Sequence, residues 1–242
     1  MIRFYRWFLT AAGLWLLKYG LANRLKGDGA RWLQPYPAKE LVNREKWILE
    51  YCIAKSVFHI GFADAPYTQE KLSKGLLLHT ELIKVAKNVT GIDVEEEAVK
   101  LYRNLSGDEN VKTATLETIT AAELKNFQII VAGEIVEHLS NPSEFLNLLH
   151  QKMYVGQELL ISVPNYISYD SLAAVLNHTE SVHPDHEWYF SPYTLSKKFD
   201  ASQWNIKTLL PAMYGRKDET YNFVKRSFPG LSDCLIAVVQ KL

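Results

Sequence analysis

The run Phe127–Gly133, FQIIVAG, is the stretch that most narrows what this chain can become. It is continuously apolar, short, and bounded by polar segments. A strand that faces water on one side alternates apolar and polar residues. A run without alternation belongs to a strand covered on both faces, which is the habit of parallel sheets. Similar short runs recur: SVFHIG from Ser56, NVTGIDV from Asn88, NVKTAT from Asn110 and QELLISVPN from Gln157. Segments with helical composition separate them. These are AKELVNREKWILEYCIA, the stretch Thr68 to Lys87, EEEAVKLYRNL and SNPSEFLNLLHQKMY. Carboxylates open the third of these helices, and Ser140 or Asn141 can cap the fourth with Pro142 in its first turn. A helix then begins at SPYTLSKKFD, and NIKTLLPAMY and DCLIAVVQKL read as two late strands.

Strand and helix alternating in this way predict an α/β protein with a mostly parallel sheet and helices on both faces. Ligands of such sheets bind beyond the carboxyl ends of the strands, near the point where strand order reverses. The residues to inspect are therefore Gly61 to Asp64, Asp93, Thr115 to Glu117, Gly133 to His138, and Asn165 onwards.

Bulk composition removes some alternatives. The 242 residues carry 27 basic and 27 acidic side chains, so the basic excess of a nucleic-acid binder is missing and no nucleic-acid partner is expected. Cys52 and Cys234 form neither a disulfide framework nor a zinc spacing, which suits a reducing, cytoplasmic setting. The N-terminus is different in kind. It holds Arg3, Arg6, Lys18, Arg24 and Lys26 and no acid before Asp28. Its apolar stretch from Trp7 to Leu17 is shorter than the roughly 20 residues that span a bilayer, and no small-x-small cleavage site follows it. Two readings stay open: a helix packed on its own domain or on a second subunit of a homodimer, and a peripheral membrane helix that sinks Phe4, Trp7, Phe8 and Trp15 into headgroups. The glycine- and proline-punctuated stretch Gly27 to Pro37 divides a basic, aromatic extension at 1–37 from an α/β domain at 38–242.

Asp93 ends the second strand, where a carboxylate can accept hydrogen bonds from a ribose diol or simply cap the next helix. Glu117 stands where it can meet a base edge, or is an ordinary surface acid. Gly133 permits close backbone approach. Glu134 and His138 are four apart and share a face in a helical turn. The alternative is solvated glutamates and a packed histidine. In SVHPDHEWYFSP, His186 and His183 are candidate general bases because histidine titrates near neutrality. The competing reading is a structural loop. Two histidines three apart can bind a metal on a helix, but Pro184 makes this a loop, and no cysteine or further histidine is near in sequence. No metal site is expected.

These residues carry a family resemblance. The segment 127–165, with Glu137-His138-Leu139 followed by Asn141-Pro142 and later Val163-Pro164-Asn165, resembles the second half of class I S-adenosylmethionine-dependent methyltransferases. VTGIDVEEEAV is similar to that family's ribose-binding segment, and HPDHEWYFSPYTL to the segment before a late helix. The resemblance runs from about Ile53 to the C-terminus. It implies a Rossmann-like, mostly parallel seven-stranded sheet with an antiparallel last strand, and S-adenosyl-L-methionine as cofactor. It implies that Asp93 and the neighbouring Val94 bind the ribose. Residues near Glu117 would meet the adenine, and Gly133 and Glu134 would line the methionine part. His138 would lie at the floor of the site. The implied reaction is methyl transfer, and the histidine loop, with His186 or His183 as the base, points to an oxygen of a small-molecule or glycan-type acceptor.

The departure is the first loop. The family reads acid-x-Gly-x-Gly-x-Gly, and here the positions hold His59, Ile60, Gly61, Phe62, Ala63, Asp64 and Ala65. Gly61 keeps the place that most needs close approach. Alanine is tolerated if its dihedrals stay negative. The gap from Gly61 to Asp93 exceeds the roughly 20 residues of nicotinamide folds. A sulfonium cofactor needs no phosphate cradle, and its cationic groups prefer carboxylates such as Asp64 or Glu134. The altered loop also admits a binding module without turnover, and the basic extension admits a membrane-surface enzyme with a lipid-linked substrate.

Overall fold

A computed structural model describes residues 40–215 and 219–242, with isolated positions at 12–13, 15–16, 19, 34 and 36, and no side chains for 219–221. Eight strands form one sheet in the order β1-β7-β8-β6-β5-β2-β3-β4. They are β1 (Val42–Asn43), β2 (Ser56–Ile60), β3 (Asn88–Asp93), β4 (Val111–Thr113), β5 (Ile129–Gly133), β6 (Glu158–Pro164), β7 (Trp204–Met213) and β8 (Cys234–Lys241). Every pairing is parallel except those of β8, which runs antiparallel to both β6 and β7. Strand order reverses between β2 and β5, so the ligand crevice is expected there.

β5 is central and buried throughout its apolar run: Ile129, Ile130, Val131 and Ala132 are all inaccessible. Each large side chain of that run stabilises the fold by about 1.5–3 kcal/mol relative to exposure. Alternate residues face opposite layers. Phe58, Ile130, Ile161 and Ala237 pack on one side with Leu146 and Leu149 of α6 (Pro142–Lys152). Val57, Val131, Leu160 and Ile236 pack on the other with Ile48 and Cys52 of α1 (Arg44–Cys52) and Leu82 of α3 (Leu78–Val85).

The structure corrects several sequence boundaries. The sheet has eight strands, not seven. The extra one is the two-residue β1, carved out of what reads as helix from Ala38 and paired with Ala212 and Met213 of β7. The helix behind it starts at Arg44 because the Asn43 side chain accepts the Lys46 amide at 2.9 Å. The stretch Thr68 to Lys87 is two helices, α2 (Thr68–Ser73) and α3, broken at Gly75 with φ +64°. α4 (Glu96–Ser106) and the short α5 (Ala121–Leu124) follow as crossovers. α8 (Pro192–Ser196) carries a Ser191 capping box. Three helices are absent from the sequence reading: the short α5, α7 (Tyr169–Leu176), with no buried residue, and α9 (Glu219–Ser227). Most of the basic extension lies outside the described residues. At one described position there, the Trp15 ring centroid is 5.7 Å from that of Phe228. Among the described residues no helix is long and apolar enough to cross a membrane.

Candidate active site

The first loop leaves β2 at Gly61, whose φ of +71° is left-handed. Its amide donates to the Ile92 carbonyl at 2.8 Å. A Cβ built there would lie 2.4 Å from Ile135 Cδ1. Glycine is therefore required twice over, by dihedral and by space. The other left-handed residue of the turn is Asp64, at φ +56°, and Asp tolerates that region better than most. Ala63 and Ala65 are not left-handed, so their methyl groups stand where glycine's freedom is unnecessary. Lys71 forms an ion pair with Asp64, and Thr68 Oγ1 donates to the Ala63 carbonyl at 2.7 Å.

Asp93 holds the loop in place. One carboxylate oxygen accepts the Ala63 amide at 2.9 Å and the other accepts Glu95 N–H at 3.1 Å. It remains 8 % exposed, with lone pairs left over for a ligand. Val94 beside it is 62 % exposed, an apolar surface at a strand end. Glu117 is exposed on the turn after β4. That turn is pinned by Lys152 Nζ, which donates to the carbonyls of Leu116 (2.7 Å), Glu117 (2.9 Å) and Ile119 (2.5 Å).

Two of the expected cofactor residues point elsewhere. His59 is buried, its Nδ1 3.2 Å from that of His79, whose Nε2 lies 3.4 Å from Asp108. Burial, then His79 and Arg44, push the His59 imidazole well below its ordinary value. Burial likewise lowers His79 to about 4, against the opposing pull of Asp108. So His59 does not substitute for the missing acid; it belongs to the core beneath the loop. The Phe62 side chain packs on His79 and Tyr102, and only its backbone is free for a ligand.

Gly133 is needed for a reason the sequence did not show. A Cβ there would lie 2.8 Å from the Arg44 guanidinium and 3.2 Å from Ser162 Oγ, so the close neighbour is a side chain of this protein. Arg44 donates to Ser162 Oγ at 2.9 Å and sits 3.4 Å from Glu134 Oε1. Glu134 is itself left-handed at φ +56°, a strained state that is commonest at functional sites. Its other oxygen accepts the Tyr214 hydroxyl at 2.6 Å.

Glu137 lies on the turn after β5. It is fully buried, and neither carboxyl oxygen has a hydrogen-bond partner. Burial first, then the Glu134 charge, push its carboxyl well above the usual carboxylate range. His138, read as the floor, is instead exposed, its Nδ1 3.2 Å from the Asp185 carbonyl oxygen. The fold brings it to His183 and His186, with ring centroids 5.9 and 4.6 Å away. One ligand nitrogen from each of the three rings lies within 4.8 Å of the others. Burial and the two neighbouring rings lower His186, which favours its neutral imidazole. A cavity of about 530 Å³ opens beside them, lined among others by Glu134, Asn165, His183, His186, Tyr214 and Asp233. Arg44, Glu137 and Tyr214 escaped the sequence reading.

A parallel sheet of this order with one reversed strand, a glycine turn held by an acid at the next strand end, and a cavity beyond the ends of β5, β6 and β7 match the class I S-adenosylmethionine-dependent methyltransferase fold. Residues 75–161 match the methyltransferase domain family. Among solved structures it is similar to an S-adenosylmethionine-dependent methyltransferase from Aquifex aeolicus, with TM-score 0.52, 17% identity, and coverage of 83% of this chain and 91% of that one. It is also similar to one from Clostridium acetobutylicum, with TM-score 0.51, 10% identity, and coverage of 93% and 98%. Curated relatives include the mitochondrial ubiquinone biosynthesis O-methyltransferases. The human protein is 26% identical over 153 residues, covering 58% of this chain and 42% of the relative. The Dictyostelium discoideum protein is 23% identical over 201 residues, covering 75% and 62%. The Arabidopsis thaliana protein is 35% identical over 81 residues, covering 31% and 25%. The chain thus spans from a quarter to under two thirds of the length of these relatives.

Proposed function

We propose that this protein binds S-adenosyl-L-methionine and transfers its methyl group to an oxygen of a small-molecule or glycan-type acceptor. The observation that carries this reading is the pair of half-sites around Glu134. On one side the Gly61 turn is held by Asp93, which has lone pairs for ribose hydroxyls. On the other the cavity is lined by Glu134, Tyr214 and His186. Val94 offers an apolar face to the adenine, and the backbone of Phe62 and Ala63 lies along the cofactor. The O-methyltransferase names of the curated relatives support oxygen as the acceptor atom.

Most of the rate would come from holding the acceptor oxygen and the sulfonium methyl in line, at about 3–3.5 Å. The S–CH3 bond breaks as the O–CH3 bond forms, and the electron pair stays on sulfur. The neutral His186 imidazole is placed to take the proton of the acceptor hydroxyl. Titration calorimetry with S-adenosylmethionine tests the cofactor half. Absence of heat at millimolar ligand rejects the reading. Binding without turnover on any hydroxylated acceptor identifies a binding module instead. Asp93→Ala is expected to weaken binding at least about tenfold, as loss of hydrogen bonds worth about 1.5 kcal/mol or more requires.

A second reading has its own support. An apolar groove of about 240 Å³, lined by Ile167, Leu172, Val175 and Leu231, shares Tyr166, Ser168, Ser171 and Ser181 with the polar cavity. An acceptor with a polar head and an apolar tail would fill both, which suits a lipid-linked substrate met at a membrane surface. Comparing acceptors with and without an alkyl tail tests it. An unchanged KM removes the reading.

A further inference from the structure

We infer that the acceptor held in the cavity beside His186 is a neutral sugar ring, stacked on an aromatic wall made by Tyr166, Trp188 and Tyr189. The chemistry done on that ring rests on the methyl-transfer reading; its binding does not. All three side chains line the cavity of about 530 Å³. Each keeps between 38 % and 45 % of its surface exposed. Single exposed rings on a protein surface need no explanation. Three together in one cavity with a polar rim are the mark of a ligand surface.

The wall is built before any ligand arrives. The Tyr166 amide donates to the Phe190 carbonyl at 2.8 Å, and Asn165 and Phe190 form a parallel bridge. Phe190 itself is buried, so it ties the loop to the core. The Glu137 carbonyl accepts the amides of Glu187 at 2.9 Å and Trp188 at 3.1 Å. The Tyr166 and Tyr189 ring centroids are 4.7 Å apart, at 41° between planes. The Tyr189 hydroxyl donates to Glu180 Oε1 at 3.0 Å. Lys198 Nζ lies 4.5 Å from the centroid of the Trp188 ring. Rings anchored in this way lose little freedom on binding.

The rest of the lining selects the class of ring. It holds three carboxylates, Glu134, Asp170 and Asp233, and among the described residues neither lysine nor arginine. Arg44 is paired with Glu134 and Lys225 with Asp233, so these cations are already committed. An acidic acceptor would bring its charge to carboxylates with no cation left to meet it, which selects against it. Carboxylate oxygens only accept, and each has more lone pairs than one bond uses. The complementary ligand therefore carries several hydroxyl donors. A pyranose has them around its edge. Its weakly positive C–H groups, on the two flat sides, suit the negative faces of aromatic rings. A phenol stacks as well but brings too few donors for that rim. His186 lies two positions before Trp188, so a ring on the wall offers its edge hydroxyls inside the cavity that holds the candidate base.

The test uses the full chain and saturation-transfer NMR. The probes are methyl glycosides of neutral hexoses, glucuronic acid and catechol, each at millimolar concentration. Neutral glycosides are expected to receive saturation on their ring protons, with the other two binding more weakly. Trp188→Ala and Tyr189→Ala should each weaken glycoside binding about tenfold, as loss of one stacking partner requires. Both should leave the affinity for S-adenosylmethionine unchanged. Tyr193→Ala, at an exposed ring outside the lining, should change nothing. If the variants do not fold, the ranking of the three probes on the unaltered protein decides. Catechol or glucuronic acid binding more tightly than every neutral glycoside overturns the inference. So does a lack of saturation transfer to all glycosides, or glycoside affinity indifferent to both ring substitutions. Cofactor calorimetry keeps the two readings apart. Glycoside binding without cofactor binding removes methyl transfer and leaves the sugar site standing. Methyl transfer to catechol but to no glycoside does the reverse.

Discussion

The two halves of the crevice are built in opposite ways. The cofactor side is made of backbone. A left-handed Gly61, a left-handed Asp64 and two hydrogen bonds donated by backbone amides to the Asp93 carboxylate define its shape, and the His59 and Phe62 side chains pack beneath. The acceptor side is made of side chains from distant segments: Glu134 after β5, His183 and His186 from the loop beyond α7, and Tyr214 at the end of β7. A backbone-built half should tolerate changes of residue type and fail on changes of dihedral. A side-chain-built half should keep its shape and lose chemistry one group at a time.

Gly61→Ala presses hardest on that contrast. It puts a methyl 2.4 Å from Ile135 at a left-handed dihedral. It is expected to abolish cofactor binding by calorimetry and to cost about 1–3 kcal/mol in chemical denaturation. Wild-type affinity in this variant would mean that the loop is not the cofactor's seat.

Acid comes next. His59 and His79 are buried neutral, with Arg44 and Asp108 as the charged groups nearby. Their folded values lie below the unfolded one of about 6.5, so the unfolded chain binds more protons as pH falls. Stability should be level above about pH 6.5 and decline below it, with the His79 share lost by about pH 4. For His79 alone the loss is at most about 3 kcal/mol. Urea midpoints between pH 7 and pH 4.5 measure this, and His79→Gln should flatten the slope. A slope that survives the substitution assigns acid sensitivity elsewhere.

Tyr214→Phe should leave cofactor affinity intact and lower kcat about tenfold, since the hydrogen bond that holds the Glu134 carboxyl group is lost. A fall in cofactor affinity instead would place Glu134 on the cofactor side of the contrast. The smallest effect is Ala63→Gly, which restores a glycine of the family loop. Ala63 is not left-handed, so affinity should not improve, and stability should drop by about 0.4–1 kcal/mol through unfolded-state entropy. Tighter binding would show that the methyl group at 63 does obstruct the cofactor.

That contrast also explains what could be read before folding. The sheet was legible because buried parallel strands advertise themselves as apolar runs, as in FQIIVAG. β1 was not, since two residues carry no period. Gly61 and Asp93 were legible because backbone geometry restricts residue type locally. His59 was misread because its alignment position names a role, whereas strand alternation turns its side chain into the core against His79. Gly133 was assigned to the ligand for want of any sign that Arg44 would lie against it. Tyr214 and Glu134 are 80 positions apart, and no spacing rule connects them. The third histidine of the cluster was invisible for the same reason.

β8 follows every other strand in the chain, yet it lies inside the sheet, between β6 and β7. During synthesis β2 to β6 can associate as they leave the ribosome, because each finds a neighbour already made. β7 and β1 cannot join them until β8 arrives to bridge the gap. The half of the sheet that carries Tyr214 is therefore assembled last, and the acceptor side is completed after the cofactor side already exists. A nascent chain stalled before Cys234 would hold the Gly61 turn and Asp93 in place while lacking the wall against which an acceptor is positioned.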